Sequence, residues 1–462
     1  MTPGANDLCV FAVKRGNIEG RFDVRNLLYS QTIVRHDYQK ATLGSLTSEE
    51  PCYGTSATAI KRTDESQPKY IRITDFDDFG IEANHEFMTA ESYSDKHFLK
   101  EGDILFARTG ATVGKTYYYD GSIGEAIFAG YCIRFRFDPN KVLPKFVYWM
   151  TKTNAYDKWV HGIQRPSGQP NINKEEYKSY EMILPLITRQ KQLSDYMDKV
   201  IESILGKQRQ ADKRIADISK MISLRLGLRE ESNYKPLIFA ASLRNAGRSR
   251  IDPEFHNPLY MRRIKEIKRM NYKTLGDVVE LSTETWNQAD YFDQDFPYIE
   301  IGNVKLKEND YSVTKVSVVS APSRARMVVR NGDIIVSTTR PHRGAIATIA
   351  CNDDEIQIAS TGFCVLRKLK CTDVLKEYLQ WILLHDYVLL QMLQRSSGGN
   401  YPAITAEELK KIVIPIPEIE IQRQICNEAN QRKETANKLR QVAELEWAEA
   451  KAQFERELLG ES

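Results

Sequence analysis

The sequence predicts a mixed α/β (α+β) chain built twice: two similar globular domains separated by two long helices that form an antiparallel coiled coil, pseudo-two-fold symmetric. Three observations carry this expectation. The chain repeats itself over nearly its whole length. Each copy contains short alternating segments of strand character. Each copy then ends in roughly forty residues with helical periodicity.

Internal repetition at a nearly constant displacement decides the fold before any single element does. "KEGDILFARTGATVG" at 100–114 has its counterpart in "RNGDIIVSTTRPHRG" at 330–344, so Gly102 falls opposite Gly332. Upstream, Tyr70 of "PKYIRITDFDDFG" pairs with Tyr298 of "FPYIEIGNVKLKE"; downstream, Trp149 pairs with Trp381. "QRPSGQPNINKEEY" matches "QRSSGGNYPAITAEEL", and "ILPLITRQKQL" matches "VIPIPEIEIQRQI". The beginnings agree too, "GRFDVRNLLYS" beside "SRIDPEFHNPLY". The displacement drifts by only a few residues while the order of landmarks holds, as expected of a duplicated ancestor.

Within each copy, "YIRIT", "DILFAR" and "YCIRFRF" alternate in polarity and are broken by Gly and Asp, the pattern of short strands. "PKFVYWMTKTNAYDKWV" reads as a helix, which makes the domain mixed. In the following stretch Met197, Ile204, Ala211 and Ile218 recur every seven residues. Ile201, Ile215 and Ile222 fill the complementary row, with polar Gln208 in the same register. Apolar a and d rows with charged flanks predict a coiled-coil seam. Forty helical residues span about 60 Å. The C-terminal counterpart carries a less regular stripe through Ile425, Ala429, Ala436 and Leu439. Domains are accordingly expected at 1–188 and 231–416, with helical regions at 189–230 and 417–462.

At 462 residues, 42% hydrophobic and 27% charged, the composition is that of a soluble chain with several cores. A net charge of +3 is too small to specify a partner. No run of eighteen apolar residues predicts a membrane span, and the N-terminus lacks the order of a secretion signal. Seven cysteines without a C-x-x-C pair suit a reducing cytoplasm and argue against a zinc site.

Candidate catalytic motifs fail one by one. Gly110 to Thr116 imitates a phosphate-binding loop, but only three residues separate Gly110 from Gly114-Lys115-Thr116 where four are needed. The aromatic "TYYYDG" that follows reads as a strand, whereas such a loop needs a helix. "NPLY" at 257–260 lacks the second proline of a base-gripping methyltransferase element. Asp103 and Asp333 recur, but each sits in a Gly-Asp turn before a strand, which a structural role explains better than metal binding. Neither an H-E-x-x-H pattern nor a Gly-x-Ser-x-Gly elbow is present. No catalysis and no cofactor are expected.

Binding is indicated instead. The loop after "DILFA" carries Arg108, Thr109 and Lys115; its twin after "DIIVS" carries Thr338, Thr339, Arg340, His342 and Arg343. A second repeated loop presents Gln164, Arg165, Ser167 and Gly168 against Gln394, Arg395, Ser397 and Gly398. These types donate to phosphates, and Arg and Gln make bidentate contacts to guanine and adenine in the major groove.

The duplicated "GDILFARTGATVGK" with "QRPSGQPNI…ILPLITRQKQL", and "IPIPEIEIQRQI" before the terminal helix, resembles the specificity (S) subunit of Type I restriction–modification systems. The resemblance covers essentially the whole chain. It implies two target recognition domains, each reading half of a split site on double-stranded DNA. It also implies two helical regions that dock two methyltransferase (M) subunits, through which restriction (R) subunits attach, and no catalysis in the subunit itself. Helix length then sets the gap between half-sites, and divergence between the domains implies an asymmetric target. "STTRPHRG" departs from the "RTG-x-x-GK" centre. The alternatives are a specificity subunit of a Type IIB-like methyltransferase/nuclease complex and a coiled-coil adaptor that never touches DNA.

Overall fold

A computed structural model describes residues 39–459, apart from 82–84, 164–169, 230–234, 237, 241–249, 251, 288–294 and 354. The chain divides into two compact units: Met1–Gly206 with Val442–Ser462, and Lys207–Gln441. Each unit therefore holds one sheet-rich head and a part of both long helices, Ile187–Leu226 and Ile419–Leu459.

The first head contains two four-stranded sheets. One runs Cys52–Tyr53, Cys132–Phe135, Ile104–Ala107, Thr116–Tyr118, antiparallel throughout. The other runs Ala59–Lys61, Met88–Ala90, Lys69–Ile71, Ala126–Phe128, with its last pair parallel. The second head repeats the first pattern as Val279–Ser282, Phe363–Leu369, Ile334–Ser337, Ile346–Thr348. It also repeats the parallel pair, now between Asp295–Ile299 and Ile356–Ser360. The heads differ at the edge of this sheet. Ala325–Arg330 forms a full strand on Ile356–Ser360, where the first head has only the bridge Phe98 to Ile127.

Asp103 and Asp333 hold corresponding turns. Asp103 is wholly buried and accepts from the Lys100 amide (2.8 Å) and from Arg136 through both oxygens (2.7 Å each). Asp333 accepts from the Arg330 amide (3.0 Å) and from Arg367 (2.9 Å). Glu49 joins the first cluster through Arg134 and Arg136, and Glu284 joins the second through Arg330 and Arg367. The repeated carboxylates are thus buried partners of half-buried arginines.

One buried glutamine per head fixes it to its long helix. The helices starting at Pro144 and Lys376 are preceded by Leu143 and Leu375, whose side chains cannot cap. Gln190 Oε1 accepts from the Leu143 amide, and Gln422 Oε1 from the Leu375 amide, both at 2.9 Å. Their Nε2 groups donate to Pro185 O and Pro417 O at 2.8 Å. Trp149 Nε1 then donates to Asp198, and Trp381 Nε1 to Asn430, each at 3.0 Å.

In both units the long helices run antiparallel. Arg189 pairs with Glu457 (3.2 Å) and Tyr196 with Gln453 (2.8 Å) in the first. Arg225 pairs with Glu428 (3.0 Å) and Asp212 with Arg440 (2.8 Å) in the second. Met197 packs in one core with Ala450, Phe454 and Leu458, and half-buried Ile201 lies against it. Ala211, Ile215, Ile218 and Ile222 share the other core with Ile425, Ala429 and Ala436, and half-buried Leu439 packs there. Ile204 is buried. The second helix is more regular than its large residues suggest. Ala429, Ala436, Ala443 and Ala450 are all buried at seven-residue spacing, in register with buried Gln422. Alanine there lets backbones approach closely, since interaxial distance follows side-chain size.

One joint is pH-sensitive. Buried His385 accepts from the Tyr387 amide (3.2 Å) and faces Ser223 on the first long helix (2.9 Å). Burial pushes its imidazole down to about 4, against the opposing pull of Asp386. Because the ordinary value is about 6.5, the unfolded chain takes up the proton first as pH falls. Stability is therefore full above about 6.5 and declines towards about 4, by on the order of 3 kcal/mol. Unfolding midpoints between pH 7.5 and 4.5 should fall less steeply in His385→Gln than in the parent; parallel slopes would contradict this assignment.

Candidate nucleic-acid interface

In each head the first repeated loop is laced to a segment from the second. In the first head the Gly110 amide donates to Pro170 O (3.0 Å), the Ile172 amide to Arg108 O (2.9 Å), and Thr109 bridges Asn171. In the second, the Arg340 amide donates to Pro402 O (2.6 Å), the Ile404 amide to Thr338 O (2.9 Å), and Thr339 bridges Ala403. The same three connections recur with different side chains. Backbone geometry is thereby fixed while the loop surface is free to vary.

Glycine is required at one corner. Gly114 has φ +89°, and a Cβ there would meet Val160 Cγ1 at 2.7 Å. Its amide donates to Tyr177 Oη (3.1 Å), and its carbonyl accepts from Tyr156 Oη (3.0 Å). Gly110 is left-handed at φ +72°, and Arg340 occupies the corresponding position at φ +48°. A non-glycine residue held there costs about 1–3 kcal/mol of local strain, which the surrounding bonds must offset.

The individual side chains are placed unequally. Arg108 is half-buried, its guanidinium 4.9 Å over the Tyr53 ring, its Nε buried without a hydrogen-bond partner. Lys115 is half-buried on the same hairpin. Arg340 lies 4.3 Å over the ring of Tyr401, which is 69% exposed, and donates to Asn400 O (2.9 Å). Arg343 is exposed. His342 beside it is held below its usual range first by burial, then by Arg343 and Arg340. Thr338 spends its hydroxyl on Gly362 O (2.9 Å), and Thr339 O accepts from Ser337 (2.8 Å).

The second repeated loop differs from expectation in local structure. Gln394 and Arg395 form the last turn of the helix Asp386–Arg395. Gln394 is buried and donates to Phe255 O (2.7 Å); Arg395 pairs with Glu408 (2.8 Å). Both point into the head. Ser397 is exposed, with its backbone paired to Ala403. Gln164, Arg165 and Ser167 lie outside the described residues. Tyr53 and Tyr401, the rings beneath the two arginines, were not singled out by sequence reasoning, although Tyr401 stands in the quoted repeat.

A family model described as "Type I restriction modification DNA specificity domain" matches residues 54–212 and again 267–428, together more than half of the chain. The specificity subunit of the HindI Type I restriction enzyme of Haemophilus influenzae is 26% identical over 162 residues, 35% of this chain. The alignment spans about a third, 31%, of that relative. Among solved structures, the HsdS subunit from Thermoanaerobacter tengcongensis is similar at 15% identity and TM-score 0.35, covering 94% of this chain and all of that one. The S subunit of a Type I system from M. genitalium gives 11% identity and TM-score 0.41, covering 92% and 97%. A chain from a structure of type I R-M complex assembly gives 15% and 0.45, covering 92% and 98%.

Proposed function

Because the chain belongs to the Type I restriction modification DNA specificity family, we propose that it is the subunit that chooses where such a complex acts. Residues 1–188 and 231–416 are its target recognition domains, each reading half of a bipartite, asymmetric site on double-stranded DNA. Regions 189–230 and 417–462 dock two methyltransferase subunits, to which restriction subunits attach, and their length sets the spacer. The subunit itself is non-catalytic, binds no cofactor and works in the cytoplasm.

The observation that carries this reading is the loop pair built twice by the same backbone bonds, with cations at unlike positions. Arg108 and Lys115 serve the first head; Arg340 and Arg343 serve the second, two positions out of step with the repeat. One scaffold then reads two different sequences. Thr109, Thr339 and Ser397 contribute further polar contacts, and Gln164, Arg165 and Ser167, outside the described residues, are assigned to DNA contact on their sequence alone. Gln394, Arg395 and the Thr338 hydroxyl support the loops, because each makes a bond within the head.

The test is to sequence adenine methylation in cells carrying the methyltransferase genes with and without this chain. One asymmetric bipartite motif should appear only with it. A palindromic motif, or methylation indifferent to the chain, would contradict the proposal.

A further inference from the structure

Arg108 and Arg340 are held differently from the arginines that surround the repeated carboxylates and from Arg395. Arg134, Arg136, Arg330, Arg367 and Arg395 all pair with carboxylates. Among the described residues neither Arg108 nor Arg340 has a carboxylate partner; each guanidinium instead lies over a tyrosine ring, 4.9 Å and 4.3 Å from its centroid. The rings themselves are located differently. Tyr53 belongs to the edge strand Cys52–Tyr53, its hydroxyl accepting from the Lys174 amide (3.2 Å). Tyr401 belongs to the second repeated segment and stands largely exposed. The duplicated heads have thus reached the same stacked pair from non-equivalent positions.

A phosphate contact needs only a positive charge, which a mobile lysine supplies as well. Stacking fixes the plane of the guanidinium, and a fixed plane serves bidentate recognition of a flat edge. In the major groove that edge is guanine, with its O6 and N7 acceptors. Arg340 is restricted further by its left-handed backbone and its bond to Asn400 O. We infer that the Arg108–Tyr53 and Arg340–Tyr401 pairs are guanine readers, one in each half-site, rather than phosphate contacts. This rests on the target-recognition reading above and adds which residues read a base and which base they read.

The experiment uses the whole complex with its methyltransferase subunits and compares methylated motifs of the parent, Arg108→Lys and Arg340→Lys. Lysine keeps the charge and loses the fork. Each variant should turn one guanine of one half-site degenerate, with discrimination there falling roughly tenfold to hundredfold, and leave the opposite half-site intact. Tyr401→Phe, which keeps the ring, should leave the motif unchanged, whereas Tyr401→Leu should relax the guanine that Arg340→Lys relaxes. An unchanged motif with salt-dependent binding retained, as expected where lysine supplies the same charge, would overturn the inference in favour of phosphate contacts. Degeneracy at a base other than guanine, or in both half-sites, would also overturn it. The parent's own bipartite motif separates the two levels: if it is absent, the functional reading fails; if it is present and lysine changes nothing, only the guanine assignment fails.

Discussion

Asp103→Ala destabilises the first head by about 3–5 kcal/mol, and Asp333→Ala does the same to the second, because each removes the buried carboxylate that compensates half-buried arginine charge. Arg136 loses both oxygens of Asp103, and the Lys100 amide loses its acceptor. Arg367 and the Arg330 amide lose Asp333 in the same way. The neighbouring Glu49 and Glu284 remain as partial partners, so the loss should fall towards the lower end where they can shift. Hydrogen exchange resolved by segment is the suitable measurement, since it reports each head separately. Protection should drop in strands 104–107 and 132–135 for Asp103→Ala, and in 334–337 and 363–369 for Asp333→Ala. A variant that kept full protection while losing DNA cleavage would instead mark the aspartate as a metal-binding catalytic group.

The turn held by each aspartate was legible in the sequence, because a Gly-Asp pair before a strand has a local structural explanation; the arginine partners, more than thirty residues further on, were not. The duplication was legible for a similar reason: matching landmarks in matching order require no knowledge of folding. So was the seam of the first long helix, where Met197, Ile215 and Ile218 are large enough to mark the buried row. The second helix hid its seam in Ala429, Ala436, Ala443 and Ala450, since alanine is as common on exposed helix faces as in close helix contacts. Gln190 and Gln422 were equally hidden. A polar side chain in a charged stretch reads as solvated until the uncapped helix that it completes is in view. Gln394 lies three residues after Gln391 and seven after Tyr387, one buried helix face that the glycine-rich sequence after it obscured. The tyrosines beneath Arg108 and Arg340 could not be assigned from the repeat, because they do not occupy equivalent positions.

On the proposed function the heads read independently while the helices set the distance between their half-sites. Inserting one heptad into each helix tests it most directly: a second copy of Val200–Gly206 after Gly206, and of Thr435–Gln441 after Gln441. Both insertions fall at the boundaries between the two compact units. Seven residues add about 10 Å of helix and turn the added segment by only about 20° relative to the heptad repeat, so the seam is preserved. Methylome sequencing of the complex should then show both half-sites unchanged and an unspecified spacer longer by up to about three base pairs, at 3.4 Å each. An unchanged spacer, or altered bases within either half-site, would contradict the account.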